Sequence, residues 1–116
     1  MSVKNIVSAI PISTIDSATL DGSFVSFTPL PHACFLIRIT NGSTSPLTIS
    51  FDGGETEHDF LPPITDGYSV LEIQAQTNSQ PNNLIANFPM GMVIAVLGEA
   101  GTGDVTLAGY YQPKGI

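Results

Sequence analysis

The amino-acid sequence predicts an all-β protein, an antiparallel β-sandwich of jelly-roll type with about eight strands. Short segments alternate apolar and polar residues, and Gly, Pro, Asn, Asp and Ser separate them. In one segment Phe35, Ile37 and Ile39 share a face, whereas Arg38 and Thr40 point the other way. No ten-residue window has the helical spacing of apolar residues that would indicate an amphipathic helix.

Eight segments fit this pattern, and the first contains Pro11, which favours an edge position in a sheet. Within the sixth segment, Leu71 and Ile73 are predicted to face inward. A partly open barrel is the alternative to the sandwich. The predicted strands are 3–12, 23–28, 33–40, 47–52, 57–61, 69–75, 92–97 and 104–112.

The length of 116 residues predicts one domain, 1–116, with one apolar core. No composition shift marks a domain boundary. Residues 1–15 are apolar and β-branched but contain Pro11 and scattered serines, so they suit an extended N-terminal arm or an edge strand. The polar stretch 76–83 has no periodicity and is predicted to be a long loop.

The charge of the chain excludes two classes of partner from the prediction. Lys4, Arg38 and Lys114 are its only basic residues, and its formal net charge is −7. Nucleic-acid binding draws much of its affinity from Lys and Arg on phosphates, so we expect no nucleic-acid partner. The same charge disfavours an anionic membrane surface, and no run approaches the roughly 18 apolar residues of a membrane span.

An acidic cluster follows the fourth predicted strand and supplies the metal candidates. A flexible loop with several carboxylates offers the oxygen ligands that Ca²⁺ prefers. The spacing does not match the EF-hand pattern, so we expect a solvated acidic hairpin loop without a metal or cofactor. The candidate ligands are Asp52, Glu55, Glu57 and Asp59.

Catalysis is not expected, because the chemistry-bearing residues are isolated. His32 and His58 each stand alone, which is too few for the histidine-rich metal sites of β-sandwich enzymes. No Gly-x-Ser-x-Gly elbow accompanies them. The single cysteine, Cys34, lies among apolar residues and is predicted to be a buried small hydrophobe. The sequence therefore predicts a protein that is not an enzyme.

Two further motifs have competing explanations. Asn41-Gly42-Ser43 matches a glycosylation sequon, but Asn-Gly also favours a tight hairpin turn, which is our interpretation. Tyr110 and Tyr111 offer aromatic faces to a sugar, but packing in the core or at an interface is the favoured interpretation.

Candidate interface residues come from the N-terminal segment and two later strands. Three isoleucines of the first segment are predicted to share a face. The 92–97 segment is apolar on both faces, which predicts that one face packs in the sandwich and that a neighbouring subunit covers the other. The candidates are Ile6, Ile10, Ile12, Met92, Val93, Tyr110 and Tyr111.

The segments ITNGSTSPLTISFDGG, EHDFLPP, SVLEI, QTNSQPNN and FPMGMVIAVLGEAGTGDVTLAGYYQ belong to the stretch of roughly residues 33–112. In this order they resemble small jelly-roll virion structural proteins of tailed bacteriophages, of the capsid decoration or cement type. The resemblance implies a homo-dimer or homo-trimer on the outer capsid surface that bridges and stabilises neighbouring major capsid proteins. A phage tail, adaptor or fibre module that binds a receptor or glycan is the alternative.

Overall fold

The computed structural model describes residues 7–67, 69–75 and 88–112, and within them all regular structure is β-strand apart from two 3₁₀ turns. Two antiparallel sheets pack as a sandwich, as predicted. The 3₁₀ turns lie at Ser17–Thr19 and Ile64–Asp66. The strands are β1 (Ser8–Ala9), β2 (Ser13–Asp16), β3 (Phe24–Ser26), β4 (Leu36–Asn41), β5 (Leu47–Ser50), β6 (Asp59–Leu61), β7 (Val70–Gln74), β8 (Ala95–Leu97) and β9 (Asp104–Tyr111).

Strand order gives each sheet strands from both halves of the chain. The larger sheet has the order β1-β9-β4-β7, with β2 also paired to β9, and the smaller sheet has the order β3-β8-β5-β6. When β1 and β2 are counted as one interrupted strand, eight strands remain. The arrangement is compatible with the jelly roll, in which two Greek keys are wrapped into two facing sheets.

The predicted first strand, 3–12, is interrupted in the structure by a bulge. Ser8 pairs with Tyr111 of β9, whereas Ser13 pairs with Leu107, so the first strand has one more residue than β9 between these two pairs. The extra residue falls around Pro11, where a missing N–H is tolerated. Residues 8–16 are therefore an interrupted edge strand of their own sheet. The start of the predicted strand, including Ile6, lies outside the described residues.

The bulge overturns the prediction that Ile10 and Ile12 share a face. One extra residue reverses the face on which the following side chains lie. Ile10 is therefore 5% exposed and belongs to the core, whereas Ile12 is 66% exposed. Ser13 and Ile15 return to the inner side, opposite Leu107 and Val105 of β9.

Within β4 and β7 the predicted faces are confirmed. In β4, Ile37 and Ile39 are fully buried while Arg38 and Thr40 are half-buried on the outer side. In β7, Leu71 and Ile73 pack against the core. The core between the sheets is formed by Ile10, Ile15, Leu20, Phe27, Leu30, Cys34, Ile37, Ile39, Leu47, Ile49, Leu61, Ile94, Val96, Val105 and Leu107.

The Asn41-Gly42 pair does not form the predicted tight turn. The primed two-residue turn requires φ > 0, and Gly42 is not among the glycines with positive φ. Asn41 is instead fully buried, and its Nδ2 donates to the carbonyls of Ser45 and Pro62 at 2.8 and 3.0 Å. Its Oδ1 accepts from the Ser43 N–H and hydroxyl. In the folded chain, both polar atoms of the Asn41 side chain are therefore engaged in internal hydrogen bonds.

Gly109 in β9 has no side chain, and Ile10 occupies the space next to it. A Cβ at this position would lie 2.9 Å from Ile10 Cδ1 and 3.1 Å from Cys34 Sγ, both in the core. We expect Gly109→Ala to destabilise the fold by about 1–3 kcal/mol through overpacking, measured by urea unfolding. Ile10→Val removes the nearest methyl group, so the double variant should lose less than the sum of the single losses. Additive losses would contradict this packing.

Candidate functional site

The most exposed apolar side chains of the N-terminal part lie along the first-strand edge. Val7 is 61% exposed and Ile12 is 66% exposed. Pro11, Pro29 and Pro31 are also exposed. We call these five residues, Val7, Pro11, Ile12, Pro29 and Pro31, the apolar edge. Exposed large apolar residues at one edge of a sandwich are typical of a protein contact surface.

A groove runs along the apolar edge where the two sheets meet. The Thr28 amide N–H donates to Ser13 Oγ at 3.2 Å, which joins the first strand to the segment after β3. The volume of the groove is about 110 Å³. Such a groove is the size of a single apolar side chain rather than of a drug-sized ligand, whose pockets start near 300 Å³. Its lining residues are Ile10, Pro11, Ile12, Ser13, Thr28, Pro29, Pro31 and Leu107.

Pro11 and the bulge determine how this edge can bind. An edge strand with free backbone groups invites another strand to pair with it. Pro11 has no N–H to donate, and the bulge twists the edge away from a regular ladder. Contacts here must therefore come mainly from side chains, so the structure gives no support to strand addition at residues 10–12.

The apolar segment 92–97 is fully buried at its centre and partly exposed at its ends. Ala95 and Val96 in β8 are both fully buried. Val96 faces the core, and the loop after β5 reaches the start of the segment, where the Gly53 N–H donates to the Val93 carbonyl at 3.0 Å. Met92 and Val93, two of the interface candidates, are half-buried. That a neighbouring subunit covers the exposed part of these two side chains stays a prediction.

The two C-terminal tyrosines lie on opposite faces of β9 and do not form one aromatic platform. Tyr111 packs against the core and stacks on His32, with ring centroids 4.0 Å apart. Tyr110 lies on the outer face, where its hydroxyl accepts a hydrogen bond from Arg38 at 3.2 Å. This arrangement favours packing over sugar stacking for both residues. Ile10, a third interface candidate, belongs to the core, and only a small part of its side chain borders the groove.

The acidic loop is organised by Asp52 rather than arranged around a cation. Asp52 Oδ1 accepts from Ser50 Oγ at 2.7 Å and from the backbone N–H groups of Glu55 and Thr56. These hydrogen bonds, first from Ser50 and then from Thr56, hold the pKa of the Asp52 carboxyl well below its ordinary value. Among the described residues, which include the candidates Asp52, Glu55, Glu57 and Asp59, no group of three His, Cys, Asp or Glu side chains has an arrangement that could hold a metal ion.

The remaining chemistry-bearing side chains also have structural partners. His58 Nδ1 accepts the Phe51 N–H at 3.0 Å, and the two rings lie 5.5 Å apart. Cys34 is fully buried, as predicted, and burial raises the pKa of its thiol. No helix within the described residues has the length and hydropathy of a membrane span.

Other exposed apolar residues carried no sequence signal that distinguished them from core positions. Phe60 in β6 is 59% exposed, and Ile64 in the second 3₁₀ turn is 44% exposed. Both lie on the edge opposite the apolar edge, because β6 and β3 are the two ends of the smaller sheet. Met90 is 70% exposed in the turn that leads to Met92.

The role of Asp52 predicts a specific pH dependence. A folded-state pKa below the ordinary value of about 3.9 stabilises the protein above that pH, and the stabilisation is lost as the pH falls through and below it. Asp52→Asn should therefore lower the midpoint of thermal unfolding at pH 7, and its difference from the parent chain should shrink as the pH falls below about 4. Glu57→Gln, in the same loop, is the control. A difference that stays constant down to pH 2 would count against this role.

Comparison of the chain with protein-family models, with curated proteins and with solved structures finds no match.

Proposed function

We propose that this chain is a non-enzymatic virion structural protein of a tailed bacteriophage, a decoration or cement protein on the outer capsid surface. In this role it bridges and stabilises neighbouring major capsid proteins and associates with further copies of itself as a dimer or trimer. The observation that carries the proposal is the apolar edge: Pro11, Ile12, Pro29 and Pro31 are exposed and line a groove, and Val7 is exposed just before β1.

The physical task of such a protein needs docking surfaces on a stiff scaffold. A bridge between two shell subunits adds binding free energy to the assembled shell alone, so it stabilises the particle by mass action. Small contacts suffice when symmetry repeats them many times over the shell. The apolar edge suits this task because Ile10 on one side and the Ser13–Thr28 hydrogen bond on the other hold it on the core.

The chemistry-bearing side chains are used in ways that support a non-enzymatic role. His32 stacks on Tyr111, His58 accepts a backbone N–H and Asp52 holds its own loop. The acidic charge favours the exterior of a shell, because a net charge of −7 repels packaged DNA. The segment resemblance over residues 33–112 supplies the specific assignment to phage virions.

The first test is the number of copies per purified particle, measured by quantitative mass spectrometry against the major capsid protein. We expect hundreds of copies, because a cement protein occupies a site that recurs over the whole shell. A dozen copies or fewer would contradict the capsid role and favour a vertex, tail, adaptor or fibre module. Absence of the protein from particles would contradict the virion assignment altogether.

A second test addresses the apolar edge. Ile12→Ser should leave the free energy of unfolding within about 0.5 kcal/mol, because the side chain is largely exposed. We expect it to lower the occupancy of shells that lack the protein at least about tenfold, as loss of a central apolar contact does. Ile64→Ser, on the opposite edge, is the matched control. Equal occupancy for Ile12→Ser and the parent chain would exclude this edge as the docking surface.

A further inference from the structure

Arg38 lies on the outer face of the larger sheet, away from the core, and β9 separates its strand from the first strand. It is in β4, and its cross-strand neighbours are Glu72 in β7 and Ala108 in β9. It is the single Lys or Arg among the described residues, because Lys4 and Lys114 lie outside them. The guanidinium group of Arg38 thus lies next to the Glu72 carboxylate, near the middle of this sheet face.

The contacts of Arg38 within its own chain leave the Arg38–Glu72 pair loose. Arg38 Nη2 donates to the Tyr110 hydroxyl at 3.2 Å, and its Cζ lies 5.7 Å from the centroid of that ring. Arg38 Nη1 is 3.9 Å from Glu72 Oε2, beyond hydrogen-bond distance. The side chains of Arg38 and Glu72 are 37% and 52% exposed. Tyr110 therefore positions the guanidinium without satisfying its charge.

The residues around this pair are uncharged and mostly small. On one side of the pair, Leu36 lies level with Tyr110, Ala9 and Gln74 of the neighbouring strands. On the other side, Thr40 lies level with Thr106, Thr14 and Val70. The acidic loop after β5 belongs to the other sheet, and Asp16 pairs with Asp104 at the far end of this face. The centre of the face is thus nearly neutral in a chain whose net charge is −7.

We propose that a second copy of this chain packs against this face across a twofold axis, with Arg38 of each copy opposite Glu72 of the other. A twofold interface uses one surface twice, so it must be complementary to itself. Neighbouring Arg38 and Glu72 meet that condition, because the rotation exchanges their positions and creates two equal ion pairs. Tyr110 adds an aromatic contact of the kind enriched at interface hot spots. The inference rests on the self-association in the proposed function and names its surface.

The test exchanges the charges at positions 38 and 72 by substitution and measures dimerisation of the full chain. No capsids are present, so a negative result would contradict this interface without contradicting the virion assignment. We expect the parent chain to be a dimer in sedimentation velocity. Arg38→Glu and Glu72→Arg should each weaken dimerisation at least about tenfold, because each puts like charges opposite one another. An equimolar mixture of the two variants should restore the dimer, since the carboxylates of one variant then face the guanidinium groups of the other.

Recovery of the dimer in the mixture would show that Arg38 and Glu72 pair between chains. If they paired only within one chain, mixing the two variants would not restore the ion pair. Glu99→Arg changes the net charge as Glu72→Arg does and lies outside this face, so it should dimerise as the parent chain does. Circular dichroism verifies that each variant is folded. A monomeric parent chain at about 100 µM, a trimeric parent, variants that still dimerise, or a mixture that stays monomeric would each overturn the proposal.

Discussion

The architecture depends on β9, which the chain must insert between its first strand and β4. Asp104–Tyr111 pairs with β1 and β2 on one side and with β4 on the other. Its inward side chains Val105 and Leu107 are in the core, and Gly109 leaves room for Ile10. Without this strand the larger sheet would be interrupted, and the first strand would lose the one strand with which it pairs among the described residues. Such pairing between distant parts of a chain is a cooperative and slow element of folding.

The apolar edge follows from that pairing. The first strand has one more residue than β9 between Ser8 and Ser13, so it must bulge, and the bulge falls around the proline. As a result Ile10 anchors the edge in the core while Ile12 is turned toward solvent. One constraint thus produces both an anchored edge and an exposed apolar side chain on it. A rigid, anchored contact loses less conformational entropy on binding than a mobile one.

Polar groups fix several of the loops between strands. Buried Asn41 holds the Ser45 and Pro62 carbonyls, and the Ser69 hydroxyl also donates to Pro62. Asp52 and Ser50 hold the loop that lies against Val93. Because buried polar groups cost free energy when unpaired, these networks favour one arrangement of each loop. Two stiff sheets with fixed loops provide the scaffold that a bridging protein requires, while the face around Arg38 stays open.

By itself the sequence determined the class of fold, since alternation in segments such as 36–41 and 70–74 fixes which side chains face a core wherever the strand is regular. It also determined the burial of Cys34 and the acidic character of the loop after β5. Only the tertiary structure decided that Ile10 and Ile12 lie on different faces, that Asn41 is buried and that Gly53 bonds to the Val93 carbonyl. It also brought Arg38, Glu72 and Tyr110 together from three strands. The physical reason is that the first strand pairs with β9, which is far from it in the chain, and one extra residue in that pairing moves every following side chain to the other face.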